Sequence, residues 1–176
     1  MRKILLTLAF VLVAGAGAFA QRFAYVDSEY ILKHIPEYTS AQKQLDAVSA
    51  QWQKEVDANF ADIEKLYKAY QADQVLLTDD MRKRRESEII DKEKGAKEFQ
   101  RVKFGFEGEL FQQRSRLIKP IQEKVAKAIQ FIADAQQLDM VFDKNSEVTL
   151  LYANPRLDKS NDVITRLGYK PGVFVK

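Results

Sequence analysis

The sequence predicts an α+β fold, a small β body carrying one long antiparallel α-helical hairpin arm, and three features predict it. Apolar residues recur by threes and fours at Tyr38, Ala41, Leu45, Val48, Trp52, Val56, Phe60, Ile63, Tyr67 and Tyr70, the spacing of a helix seam. A second series, Met81, Ile89, Ala96, Phe99, Phe106, Leu110, Leu117, Ile121, Val125, Ile129 and Ile132, follows a turn near Thr78. Short strand-like runs lie outside the pair, Phe23-Ala24-Tyr25-Val26 before it and Met140-Val141-Phe142 after it. At about 1.5 Å per residue a limb from Tyr38 to Leu77 reaches roughly 60 Å. A limb of that length cannot be buried in a core of its own chain.

The chain opens with Arg2 and Lys3, an apolar run over residues 4–14 and the small-residue end Ala18-Phe19-Ala20. This order reads as a secretory signal peptide over residues 1–20, with the mature chain starting at Gln21. An uncleaved anchor is the competing reading, but Gly15, Gly17 and the Ala-x-Ala end favour cleavage. The chain has no cysteine, so a disulfide framework, thiol chemistry and a lipid anchor on cysteine are all excluded. It carries 28 basic and 25 acidic residues. Arg2 and Lys3 leave with the leader, so the exported chain is near neutral and its bulk charge gives no case for nucleic acid.

Residues 21–36 are expected to form a body strand and a short helix. Asp27 and Ser28 are good caps for that helix, which would run through Ile31 and Leu32. Pro36 suits the first turn of the long limb, so the arm spans residues 37–119. The steps 52, 56, 60 insert an extra four into the heptad rhythm, a stutter. Thr78 is the expected cap of the descending limb, with Asp79 and Asp80 favourable at its N-terminus. Residues 37–80 hold four lysines against nine acidic residues, and residues 81–103 hold nine basic against five acidic. Opposite signs therefore face each other across the hairpin, although each exposed pair is worth only about 0.5 kcal/mol.

Gly95, Gly105 and Gly108 soften the descending limb, each costing about 1 kcal/mol relative to alanine in a helix. Replacing all three with alanine is expected to stiffen it. Pro120 is expected to end or kink the arm where it enters the body. Residues 120–176 then supply a body helix, a β-hairpin of Met140-Val141-Phe142 with Val148-Thr149-Leu150-Leu151-Tyr152, and a final helix. Asp158 or Ser160 caps that helix and Gly168 ends it. The tail over residues 169–176 reads equally as a terminal strand through Val173-Phe174-Val175 or as a loose end.

The layout resembles the OmpH/Skp family of periplasmic chaperones. The residues that carry the resemblance are the leader, Phe23-Ala24-Tyr25-Val26-Asp27, the entry Pro36-Glu37-Tyr38 and the re-entry Pro120-Ile121-Gln122-Glu123-Lys124-Val125-Ala126-Lys127-Ala128-Ile129. Leu138-Asp139-Met140-Val141-Phe142-Asp143, Leu157-Asp158 and Asp162-Val163-Ile164 complete it. The resemblance implies a homotrimer in which strands from three protomers build the β body and three arms surround a central cavity. It further implies a periplasmic, ATP-independent holdase that binds unfolded outer-membrane proteins before membrane insertion. Short exposed strand edges agree with a need for partners.

Under that reading Phe60, Tyr67, Tyr70, Phe99, Phe104, Phe106 and Phe111 offer apolar contacts to a client, while charged residues keep the complex soluble. Phe99 and Phe106 fall on the seam and are assigned to packing ahead of client contact, as is Trp52. Phe104 and Phe111 fall off it and stay open between the two roles. The run Arg82-Lys83-Arg84-Arg85 could meet an acidic client, membrane lipid or lipopolysaccharide, but a solvated face matching the acidic limb is the favoured reading.

No enzyme chemistry and no cofactor are expected. His34 is the only histidine and is read as partly exposed beside Pro36; a lone histidine makes no metal cluster. The acidic residues alternate with lysine along helix faces, unlike a convergent catalytic pair. Gly105-Phe106-Glu107-Gly108 has no following Lys-Ser/Thr and is no phosphate loop. The alternative function is a structural coiled-coil scaffold of the cell envelope, which would favour an unbroken seam and polar outer faces.

Overall fold

A computed structural model describes residues 21–146 and 150–174. The expected signal peptide, with Val148, Thr149 and Val175 of the expected strands, lies outside the described residues. In chain order the elements are β1 (Phe23–Val26), α1 (Ser28–Lys33), α2 (Pro36–Asp73), α3 (Asp79–Phe104), α4 (Glu109–Gln136), β2 (Met140–Asp143), a 3-10 turn (Pro155–Leu157) and α5 (Ser160–Arg166). They fall into two compact units. One comprises Ala126–Pro171 with the chain up to Ile31, the other Leu32–Val125 with the chain from Gly172 on.

In the first unit β1 and β2 pair in parallel, Phe23 opposite Met140 and Val26 opposite Asp143. This replaces the expected hairpin, since Leu150, Leu151 and Tyr152 are not in a strand. The reason lies in Asp143. Its Oδ1 accepts the Ser28 N–H at 3.2 Å and the Asn145 N–H at 3.0 Å, which ties the end of β2 to the start of α1 instead of launching a return strand. On its other side Tyr25 bridges to Asp158, and its carbonyl accepts the Lys159 N–H at 2.9 Å. The parallel pairing makes everything between the two strands one crossover.

Alternation along β1 buries Ala24 and Val26, and Ile31, Val163 and Ile164 complete the most deeply buried apolar side chains of this unit. Phe23, Met140 and Phe142 stay exposed, with the two phenyl rings 6.2 Å apart. Asp27 caps α1 by accepting the Tyr30 N–H at 2.8 Å. Its burial works against ionisation, but the Tyr30 N–H, the Asn145 amide and the Lys144 ammonium together outweigh that and hold its carboxyl below the usual range. The start of α5 differs from the expected simple cap. Buried Ser160 donates its hydroxyl to Asp158 at 2.6 Å and accepts the Asp27 N–H at 2.8 Å. At the other end Gly168, at φ 89, donates to the Thr165 carbonyl and Tyr169 to Ile164, the paired bonds of a Schellman stop.

In the second unit α2 and α3 pack on each other as antiparallel limbs. Pro36 occupies the first turn of α2, and Thr78 caps α3, its Oγ1 accepting the Met81 N–H at 3.3 Å. Ala41, Leu45, Trp52, Val56 and Ile63 are buried along α2. After the stutter the buried positions step from Val56 to Ile63 by seven, so Phe60 and Tyr67 rotate off the seam and are exposed. Leu66 and Tyr70 instead pack against Ile63, Ile89 and Ala96.

The descending limb breaks at residues 105–108 rather than softening there. Of the two outcomes expected at Pro120, an end or a kink, the end does not occur, since α4 runs through the proline. Ile118, Ile121, Val125, Ala128 and Ile132 form one buried stripe on both sides of that proline. Their burial, at ~1.5–3 kcal/mol per large aliphatic side chain, exceeds the ~3 kcal/mol penalty of a mid-helix proline. Gly95, by contrast, lies within α3, and a Cβ there would meet nothing within 4 Å. Gly95→Ala is expected to stabilise the arm by about 1 kcal/mol, read as a higher midpoint in urea followed by circular dichroism.

His34 is buried, not partly exposed. Its Nε2 accepts the Gly172 N–H at 3.0 Å and its ring lies 4.6 Å from that of Phe174. The tail turns at Gly172, at φ 77, and is not a strand through residue 174.

Candidate functional site

The aromatic residues of the arm divide into two groups at the break between α3 and α4. The break is a built turn. Gly105 N–H donates to the Arg101 carbonyl at 2.8 Å and Gly108 N–H to the Gly105 carbonyl at 2.9 Å. Glu107, at φ 55, occupies the left-handed region, and its carbonyl accepts the Gln112 side-chain amide at 3.1 Å. Phe106 sits at the outer corner of this turn and is 97% exposed. The seam assignment of Phe106 therefore fails. Once the helix stops at Phe104, the register across the gap resets, and a residue counted onto the seam by threes and fours points to solvent.

Phe104 takes the packing role. Its ring meets Trp52 edge-on, with centroids 6.2 Å apart and planes at 86°, a favoured aromatic geometry. Phe99 is half-buried beside them. The Lys103 ammonium lies 4.6 Å from the Trp52 ring centroid and 5.6 Å from that of Phe99. It also pairs with Glu109 Oε2 at 2.6 Å. Phe111 in the first turn of α4 is exposed, like Phe60 and Tyr67 on α2. Tyr70 is half-buried and donates its hydroxyl to Glu86, a bond that raises the phenol above its ordinary range. Of the seven aromatic candidates, Phe60, Tyr67, Phe106 and Phe111 thus present their rings to solvent; Phe99, Phe104 and Tyr70 are partly occupied within the arm.

The basic run at the tip is partly neutralised internally. Arg82 lies 3.8 Å from Asp79 and donates to the Leu77 carbonyl at 3.4 Å, while Arg85 pairs with Glu88 at 3.3 Å. Lys83 and Arg84 are exposed, with no ion pair among the described residues. Beside them Val75 and Leu76 are 86% and 85% exposed. Sequence reasoning passed over these two. The available signal was an apolar pair standing in a turn, where small polar residues are usual.

At the root of the arm an open groove of about 460 Å³ is lined by Pro36, Glu37, Ser40, Ala41, Gln44, Leu117 and Ile121. It gathers no convergent set of titratable groups. Among the described residues no group of three or more His, Cys, Asp or Glu could hold a metal ion. No described helix is long and apolar enough to cross a membrane. The arm offers exposed aromatic rings on a charged rod.

No curated protein matches the chain. Among solved structures, the crystal structure of a putative outer membrane chaperone (OmpH-like) from Caulobacter crescentus CB15 is similar. It aligns with a TM-score of 0.64 at 15% identity, covering 91% of this chain and 92% of that one. At that identity the likeness establishes the fold. The sequence model of the family described as "Outer membrane protein (OmpH-like)" matches residues 22–167, nearly the whole chain from the first strand to the end of α5. The chain belongs to the OmpH-like family.

Proposed function

We propose that the chain is a periplasmic holdase chaperone that binds unfolded outer-membrane proteins without ATP and keeps them from aggregating before insertion. Three copies assemble through the exposed strands of their bodies, and their arms surround a cavity. The observation that carries this reading is Phe106, almost wholly exposed on a turn that only its glycines permit. An aromatic ring displayed in this way contributes nothing to its own fold. With Phe111, Phe60 and Tyr67 it makes a set of separate apolar contacts on a strongly charged arm. Each contact is weak, and confinement among several arms converts weak contacts into avidity without a fixed pocket. The charged faces keep the loaded complex soluble.

A scaffold would gain from an unbroken seam, whereas this arm is interrupted in the middle of its descending limb. The test is native mass, for the protein alone and after a urea-unfolded outer-membrane β-barrel protein is diluted into it. A trimer that takes up one client supports the holdase; an oligomer that ignores the client moves the assignment to an envelope scaffold. A second measurement addresses the site. Replacing Phe106 and Phe111 together with serine should leave stability within about 0.5 kcal/mol, as for exposed positions generally. Client retention should fall at least about fivefold, since losing even ~1 kcal/mol of apolar contact has that effect.

A further inference from the structure

We propose that Lys103 is a positioning residue: its ammonium braces the break between α3 and α4 and so holds Phe106 outward. The role given to Phe106 rests on the client-binding reading above; the brace itself does not.

Three helices meet at this one charge. Lys103 belongs to the last turn of α3, Trp52 to α2, and Glu109 is the first residue of α4. The ammonium lies on the Trp52 ring, near the Phe99 ring and 2.6 Å from the Glu109 carboxylate. The arm's ion pairs within single helices are of another kind. Lys68 with Glu64 and Arg101 with Glu98 sit three or four residues apart on one helix, with side chains more than half exposed. Such pairs are screened by water and salt and fix little. Lys103 is only 18% exposed, and its partner lies across the break.

The turn itself has few internal restraints. Its backbone is tied by the Gly108-to-Gly105 bond, and the Gln112 amide reaches back to Glu107. Glu107 adopts a backbone conformation that glycine or asparagine would take more readily. These bonds join the turn to α3 and to the first turn of α4, but none of them reaches α2, so they leave the direction of α4 relative to α2 open. The brace supplies that direction, because a partly buried ammonium shared by two rings and a carboxylate is satisfied in one arrangement only. With Lys103 bound at once to α2 through Trp52 and to α4 through Glu109, the break is held in one arrangement, and in that arrangement Phe106 is almost wholly exposed.

The experiment uses the full-length protein and reads hydrogen exchange at the Gly108 and Gln112 amides, together with client retention. Lys103→Met keeps the alkyl stem and removes the charge. It should speed exchange at those amides by about tenfold or more while the amides of α2 keep their protection. Lys103→Arg should stay within about threefold of the parent. Retention of an unfolded β-barrel client should fall with Lys103→Met as it falls with Phe106→Ser. If Lys103→Met does not fold, Glu109→Gln, which leaves the ammonium on its rings, carries the same expectation.

Unchanged exchange at the break would overturn the brace. So would a uniform rise along the whole arm, which is the signature of lost stability alone. Should Phe106→Ser weaken retention while Lys103→Met does not, the positioning role falls. Should neither affect retention while exchange at the break still rises, the brace stands and the client-binding role of Phe106 fails.

Discussion

Trp52→Ala is expected to cost the arm about 3–5 kcal/mol, the range for removing a large buried aromatic side chain. Trp52 is 9% exposed and sits where the seam, the edge of Phe104 and the Lys103 ammonium converge. Alanine leaves a cavity that two rigid helices cannot close, and it strips an aromatic face from a cation that is itself mostly buried. Both losses act at one place. Urea unfolding followed by circular dichroism measures the change, because the variant has no tryptophan to report by fluorescence. Trp52→Phe should recover more than about half of the loss, since most of the apolar volume returns.

Gly105→Ala should destabilise by about 1–3 kcal/mol, as overpacking does. A Cβ at this position would stand 2.3 Å from the Arg101 carbonyl oxygen, which is fixed backbone. Gly108 is similarly confined, with the Val102 carbonyl oxygen 2.8 Å from its would-be Cβ. The triple replacement of Gly95, Gly105 and Gly108 with alanine is therefore not expected to stiffen the arm as its composition suggested. One substitution helps a helix, and two collide with a turn. Comparing Gly95→Ala with Gly105→Ala in the same urea experiment should give opposite signs, and equal signs would mean that the break is not a built turn.

What was legible in the sequence was chemistry completed within a few residues. Thr78 with Asp79 and Asp80 reads as a helix start because the capping oxygen and the amide it accepts are three residues apart. Pro36 and Gly168 read correctly for the same reason. The break was not legible, because Gly-Phe-Glu-Gly inside a helical rhythm is compatible with a soft helix and with a turn. Nothing within those four residues makes the choice; the structure shows the turn, with Glu107 at φ 55 and both Gly105 and Gly108 too confined to accept a Cβ. The swap of Phe104 for Phe106 as the packing aromatic follows from that one uncertainty.

The sheet partner was hidden for a related reason. Met140-Val141-Phe142 has strand character whichever neighbour it takes, and a nearby apolar run made a hairpin the local choice. The neighbour it takes instead is β1, more than a hundred residues away, and the signal for it is the Asp143 side chain bound to the Ser28 N–H. Of the candidate site, the residue types and the limb that carries them were visible. Which rings turn outward was not, since a single stutter at Trp52 and Val56 and a single turn at Gly105 decide it.

The parallel β pair has a consequence for the order in which the molecule folds. β1 has no strand partner until β2, which follows the arm in sequence, reaches it. Joining the two strands through a disordered loop of that length would cost about 4 kcal/mol of chain entropy. The arm removes most of that cost, because its own contacts are between neighbouring limbs, and once they form Glu37 and Lys124 lie 3.6 Å apart. Local contacts also form faster than distant ones. Contact order therefore puts the arm early and the sheet late: a chain truncated before Met140 is expected to form the hairpin arm, with its aromatic rings on display, while β1 stays unpaired.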